Sequence, residues 1–324
     1  MASNRLTLTI FTMFMILVTF IFLLNFSSTN LVTFGYQEYA FVQNWARNND
    51  THQVSEIHDV LATKDFVFVP DYENHNIKKF TKNGTFVLEW GKEGTDPGQF
   101  DTPHSMDVDS KGYVYVSDMN NKRIQKFDSN GSFIIEWGIA GEGAGEFLHP
   151  HGVAIDSNDD VYVADTEISD IQKFSKDGQF IRKWGSEGSG QSEFGWMENI
   201  DLDSKDNLYV ADIPNDRIQK FTKDGVFILE WGSRGDKNGE FEGPSGVSVD
   251  SSDNVYVIDD TGRIQKFTED GTFITSLGSD GSTDGQFSKA EGLDVDPDGN
   301  VYVADTANKR IQVFSPSSTA NYGR

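Results

Sequence analysis

The sequence predicts an all-β fold, a six-bladed β-propeller with four strands per blade, preceded by one transmembrane helix. Three observations predict it: an apolar motif recurring six times at nearly constant spacing, four short β-type runs within each period, and a single uncharged run near the N-terminus.

The uncharged run comes first. "LTLTIFTMFMILVTFIFLLNF" covers residues 6–26, and 21 residues of helix span about 30 Å, one hydrocarbon core. A cleaved signal peptide has a shorter apolar region ending in small residues, and "NFSSTN" follows here, so an uncleaved anchor is expected. Arg5 precedes the run and the next basic residue is Arg47, which places the N-terminus in the cytoplasm and the rest outside. The expected organisation is a cytoplasmic stub at 1–5, an anchor at 6–26, a linker at 27–38, a propeller at 39–316 and a tail at 317–324. The expected location is the cell membrane, single-pass, with the propeller extracytoplasmic.

Beyond the linker the chain repeats itself. "FVFVPDYENHNIKKF", "VYVSDMNNKRIQKF", "VYVADTEISDIQKF", "LYVADIPNDRIQKF", "VYVIDDTGRIQKF" and "VYVADTANKRIQVF" close on Phe80, Phe127, Phe174, Phe221, Phe267 and Phe314, at intervals of 47, 47, 47, 46 and 47. After each of the first five comes an Asn-Gly or Asp-Gly turn and a run such as "FVLEWG", then a glycine-rich loop and a run such as "GVAID". These runs alternate or are β-branched, and the turn glycines supply the positive φ of tight hairpins. The sixth unit has no run after "RIQVF". The missing strand stands at the other end, in "YAFVQNW", where Trp45 lies 45 residues before Trp90. Residues 39–45 are therefore expected to close the ring as the outer strand of the last blade, leaving no long free edge.

The motifs "VYVADT.N.RIQKF", "DG.F...WG" and "G.F..P.GV.VD" resemble those of the NHL-repeat family over about residues 39–315. The resemblance implies a propeller. It leaves the activity open, since members include extracellular sensors, RNA-binding regulators and an amidating lyase.

Net charge is −24, and an acidic surface of this kind repels polyanions, so nucleic acid is not an expected partner. The absence of cysteine excludes disulfides and thiolate metal sites. Features present in every blade read as scaffold: the aspartates ending each second strand (Asp71, Asp118, Asp165, Asp212, Asp259, Asp305), the arginines after them, and the tryptophans of the outer strands.

Function is expected where the repeat is broken. At the start of the innermost strand the residues in register are His104, His151, Glu198, Ser245 and Glu291, and one deletion in the first unit brings His58 into the same column. Innermost strands line the channel, so three imidazoles and two carboxylates converge on one mouth. The "TPHS" and "HPHG" motifs look like the Pro-His start of the zinc histidines of peptidyl-α-hydroxyglycine α-amidating lyase, which carries over to His104 and His151 and more weakly to His58. The resemblance thins beyond them: these histidines fall on neighbouring blades, and Tyr72 lies one residue from the lyase's tyrosine position. His149 reads as a loop residue outside the motif.

Two readings follow. The first is a binding module, a tethered propeller offering a rigid face to a protein, peptide or glycan; regularity and the lack of a nucleophile with a base partner favour it. The second is a metal-dependent lyase or lactonase-like enzyme. Its site would be one divalent metal, zinc or calcium, held by His104 and His151 with His58, Glu198 or Glu291, and no other cofactor is expected.

Overall fold

The computed structural model describes residues 39–46 and 51–317. The expected stub, anchor and linker (1–38) and the tail beyond residue 317 lie outside the described residues. Among the described residues no helix is long and apolar enough to cross a membrane.

Six four-stranded antiparallel sheets form six blades. Blades 1 to 5 run outward in chain order over residues 61–90, 103–137, 150–184, 197–231 and 244–277. Blade 6 combines Gly292–Val295, Val301–Asp305 and Arg310–Pro316 with the strand Tyr39–Trp45, which pairs antiparallel with Arg310–Pro316. The first strands of all six blades line one central channel.

The second and third strands are buried except at some ends in blades 1 and 6, and fully so in Val114–Asp118 and Arg123–Phe127. The second strands read as near-continuous β-branched and aromatic runs because both faces pack on neighbouring blades, while the third strands bury polar side chains that pair within the ring. In blades 2 to 6 a buried tyrosine of the second strand bonds an aspartate six residues earlier, as Tyr115 Oη does to Asp109 Oδ2 at 3.1 Å. The outer strands are largely exposed or half-buried, and their tryptophans lie over the turn glycine of the next blade. A Cβ on Gly131, held at φ +80°, would stand 2.5 Å from Trp90, so the turn conformation and the close approach both require glycine. Leu277 takes the tryptophan position in blade 5. The neighbouring blade 6 has no such hairpin glycine, because its outer strand comes from the other end of the chain, and Tyr39 and Phe41 pack there instead.

Candidate metal centre at the channel mouth

Each first strand of blades 2 to 4 carries at its second position a side chain of the channel-mouth group, buried in blades 2 and 3 and half-buried in blade 4. Pro103 and Pro150 open the strands of blades 2 and 3, fixing the backbone so that the following histidines, His104 and His151, turn inward. Glu198 holds the same position in blade 4. One ligand atom from each of His104, His151 and Glu198 lies within 4.8 Å of the other two.

The imidazoles of this group are short of partners. His104 Nδ1 and both ring nitrogens of His151 are buried without a hydrogen bond. Leaving a buried polar atom unsatisfied costs about 1–3 kcal/mol, so a group that engages them would recover that cost. Burial holds the His104 ring well below its ordinary pKa, and the neighbouring histidines push the same way. Burial likewise brings His151 to about 3. Both rings are therefore neutral at pH 7, the form that ligates metal. Burial and the charge of Glu291 raise Glu198 to about 7. Two neutral imidazoles with a carboxylate that also accepts from Trp196 fit a divalent ion of the zinc class, with room for a non-protein ligand.

The structure places His58 and Glu291 differently from these three. They bond to one another through His58 Nδ1. His58 Nε2 lies 3.4 Å from Glu56 Oε1 and makes no hydrogen bond. Burial opposes a charge on His58, but the bonded Glu291, with Glu198 and Glu56 behind it, outweighs burial and raises its pKa. The His58 ring stands 5.0 Å from that of His104, and the rings of His104 and His151 are 4.0 Å apart. Ser245 is buried, its hydroxyl donating to Ala290 O at 3.5 Å.

Three more side chains stand at the mouth, of which Trp196 went unread in the sequence. Tyr72 packs on His58 with ring centroids 4.7 Å apart. Trp196, 40% exposed, stands edge-on to His151 at 5.3 Å. His149, expected to lie outside, is 5.3 Å from His151 and also meets Trp196, and Asp165 holds its loop in place by accepting the Leu148 and His149 N–H groups. The signal available was register: His149 and Trp196 share a column two residues before His151 and Glu198, where blade 5 has Gly243.

Deeper in the channel lie Asp59, Asp107, Asp201 and Asp294. Asp107, Asp201 and Asp294 come from alternate blades, and each carboxylate bridges two backbone N–H groups. Asp107 accepts from Val108 at 2.6 Å and from Ile155 of the next blade at 2.7 Å. Asp201 does the same with Leu202 and Val249, and Asp294 with Val295 and Ala62, all at 2.7 Å. These acids hold first strands together in pairs.

Comparison with known proteins bears on the fold. The NHL repeat model matches residues 147–174 and 287–314, and a 6-bladed beta-propeller model matches residues 47–124. No curated protein matches the chain. A streptogramin B lyase structure is similar at 14% identity and a TM-score of 0.61, over 86% of this chain and 98% of that one. A structural-genomics protein of unknown function from Bacteroides thetaiotaomicron is similar at 17% identity and a TM-score of 0.67, over 86% and 76%. A catalytically inactive histidine-to-alanine variant of virginiamycin B lyase from Staphylococcus aureus, with quinupristin, is similar at 15% identity and a TM-score of 0.58, over 87% and 90%. At such identities the likeness is one of fold.

Proposed function

We propose that this chain, a six-bladed β-propeller carrying NHL repeats, is a metal-dependent enzyme of the lyase or hydrolase class, held outside the cell by residues 6–26. One observation carries the reading: two buried, neutral, unpartnered imidazoles and a carboxylate converge from three blades on the mouth of a channel. His104, His151 and Glu198 would hold a divalent ion, which in such a set supplies Lewis-acid polarisation of a bound carbonyl or water. The His58–Glu291 pair is suited to proton transfer. Its bond leaves Nε2 as the nitrogen able to take or give a proton, the base-and-orienter arrangement of acid–base sites. Tyr72, His149 and Trp196 wall the mouth and limit water there. Two of the similar folds are lyases, and replacing one histidine inactivates one of them, so propellers of this general shape can carry histidine-dependent elimination chemistry.

A second reading, a binding face for a protein, peptide or glycan, is favoured by the exposed indole of Trp196 at the mouth. Metal content separates the two. The full chain, purified in mild detergent without chelator, is expected to carry about one zinc equivalent, lost in the double variant His104→Ala, His151→Ala. Equal zinc in both proteins would remove the enzyme reading. The anchor is tested by adding protease to intact cells: digestion of the propeller supports the orientation, and full protection reverses it.

A further inference from the structure

Blade 3 departs from the other five at a second place, where its second strand ends: Asp165 pairs with Pro150, the residue before His151, and accepts the backbone N–H groups of Leu148 and His149 at 2.7 and 2.9 Å. In those five, the carboxylate ending the second strand meets a lysine or arginine of the following strand region at 2.6–3.1 Å, as Arg123 meets Asp118. In blade 2 the Arg123 guanidinium also donates to the carbonyl oxygens of Thr95, Asp96 and Gln99 beneath the glycine-rich loop, at 2.8–3.2 Å. Blade 3 has Asp170 at the arginine's position, directly opposite Asp165 in the ladder. Among the described residues Asp165 forms no ion pair. Two like charges facing one another across a strand pair are destabilising.

The local exchange of charge is incomplete. Lys183 stands where blade 2 has Glu136; its ammonium lies 2.9 Å from Asp170 Oδ2 and donates to Glu142 O at 2.8 Å. The Lys183 side chain is 35% exposed, whereas Asp170 is 3% exposed and its Oδ1 has no partner. Elsewhere the buried pair is one anion with one cation; here it is two anions, and burial raises both pKa values, for Asp170 with the help of the Asp165 charge.

We infer that blade 3 binds a hard divalent cation of the calcium type at Asp165 and Asp170, beneath the loop of residues 142–146, where the other blades place a side-chain cation. The donors are all oxygens: two carboxylates and the loop carbonyls that in blade 2 face a guanidinium. Such a set suits calcium and not the imidazole-seeking zinc of the mouth. The Lys183 stem reaches solvent, so its ammonium can leave when the ion enters.

Terbium, a luminescent calcium substitute, is the probe, with Trp184 on the strand beside Ile171 as sensitiser. The full chain is expected to show saturable emission that calcium displaces, and calcium should raise its Tm. Asp170→Arg restores the residue of blades 2, 4, 5 and 6 and so preserves folding; it should weaken terbium binding at least about tenfold and abolish the calcium shift. Asp170→Asn should weaken it as well. The His104→Ala, His151→Ala protein should keep the site, which separates this proposal from the mouth. Equal affinity in Asp170→Arg, loss of the signal in the double histidine variant, or no calcium-displaceable emission from the parent would each overturn it.

Discussion

Glu291 decides what His58 can do. Burial alone would hold the ring below its ordinary pKa of 6.5, and the bonded carboxylate reverses that direction. In Glu291→Gln the main opposing charge is gone, so the His58 pKa is expected to move from above 6.5 to below it, followed by NMR of the imidazole. Zinc content should stay, because His104, His151 and Glu198 are untouched, while turnover falls. An unmoved His58 titration would dissolve the pair. The sequence made the column visible because histidine, glutamate and a single serine alternate at a position whose neighbours repeat from blade to blade. It could not sort the column into ligands and partners, since that depends on which side chains meet across blades. Asp170 was equally visible as a break in "RIQKF"; its meaning needed the partner list of the arginine it replaces.

At the level of elements, each blade was legible from its own turns and periodicity, because six copies repeat the signal. The strand Tyr39–Trp45 does more than complete a sheet. Trp45 packs on Phe80 with ring centroids 4.7 Å apart, and Tyr39 Oη meets Tyr256 Oη at 2.6 Å, so one strand ties blade 6 to blades 1 and 5. A chain beginning at Thr51 loses these aromatics and bares the edge of Arg310–Pro316. Truncating a buried aromatic costs about 3–5 kcal/mol, so removing the strand should lower Tm by about 10 °C or more. The bare edge should also cause association, seen as concentration-dependent sedimentation. A truncated chain that melts and sediments like the parent would show that the ring does not depend on this closure. Leu277 in place of a tryptophan was the less legible counterpart: its reason is the absent hairpin glycine of blade 6, a contact between units that no single repeat contains.

Across the whole molecule, the channel sets the pH response. "MDVD", "IDLD" and "LDVD" place aspartates on alternate first strands, a pattern readable in the sequence, but their burial against one another is a product of ring closure. Burial, with the charge of Asp294, raises Asp201 to about 8, and burial raises Asp59 to about 7. Glu198 at the mouth also stands at about 7. An acid with a folded pKa above its unfolded value keeps its proton longer in the folded state. Its contribution is therefore fully present below the unfolded pKa and is lost as pH rises through the folded one. The buried imidazoles act in the opposite sense, since His104 and His151 remain neutral when folded while the unfolded chain protonates them below about 6.5. Above about pH 6.5 His104 and His151 are neutral when folded and increasingly so when unfolded, so the acids decide, and His58, whose pKa is raised, loses its contribution in the same direction as pH rises. Metal-free protein should thus be less stable at pH 8.5 than at 6.5 by about 2–3 kcal/mol, or roughly 5–10 °C in Tm. Thermal melts in chelator at the two pH values measure this, and a Tm that holds or rises at 8.5 would mean that the channel carboxylates are already ionised at 6.5. Zinc should narrow the difference, because binding to the mouth draws the proton from Glu198 and removes one acid from the titration.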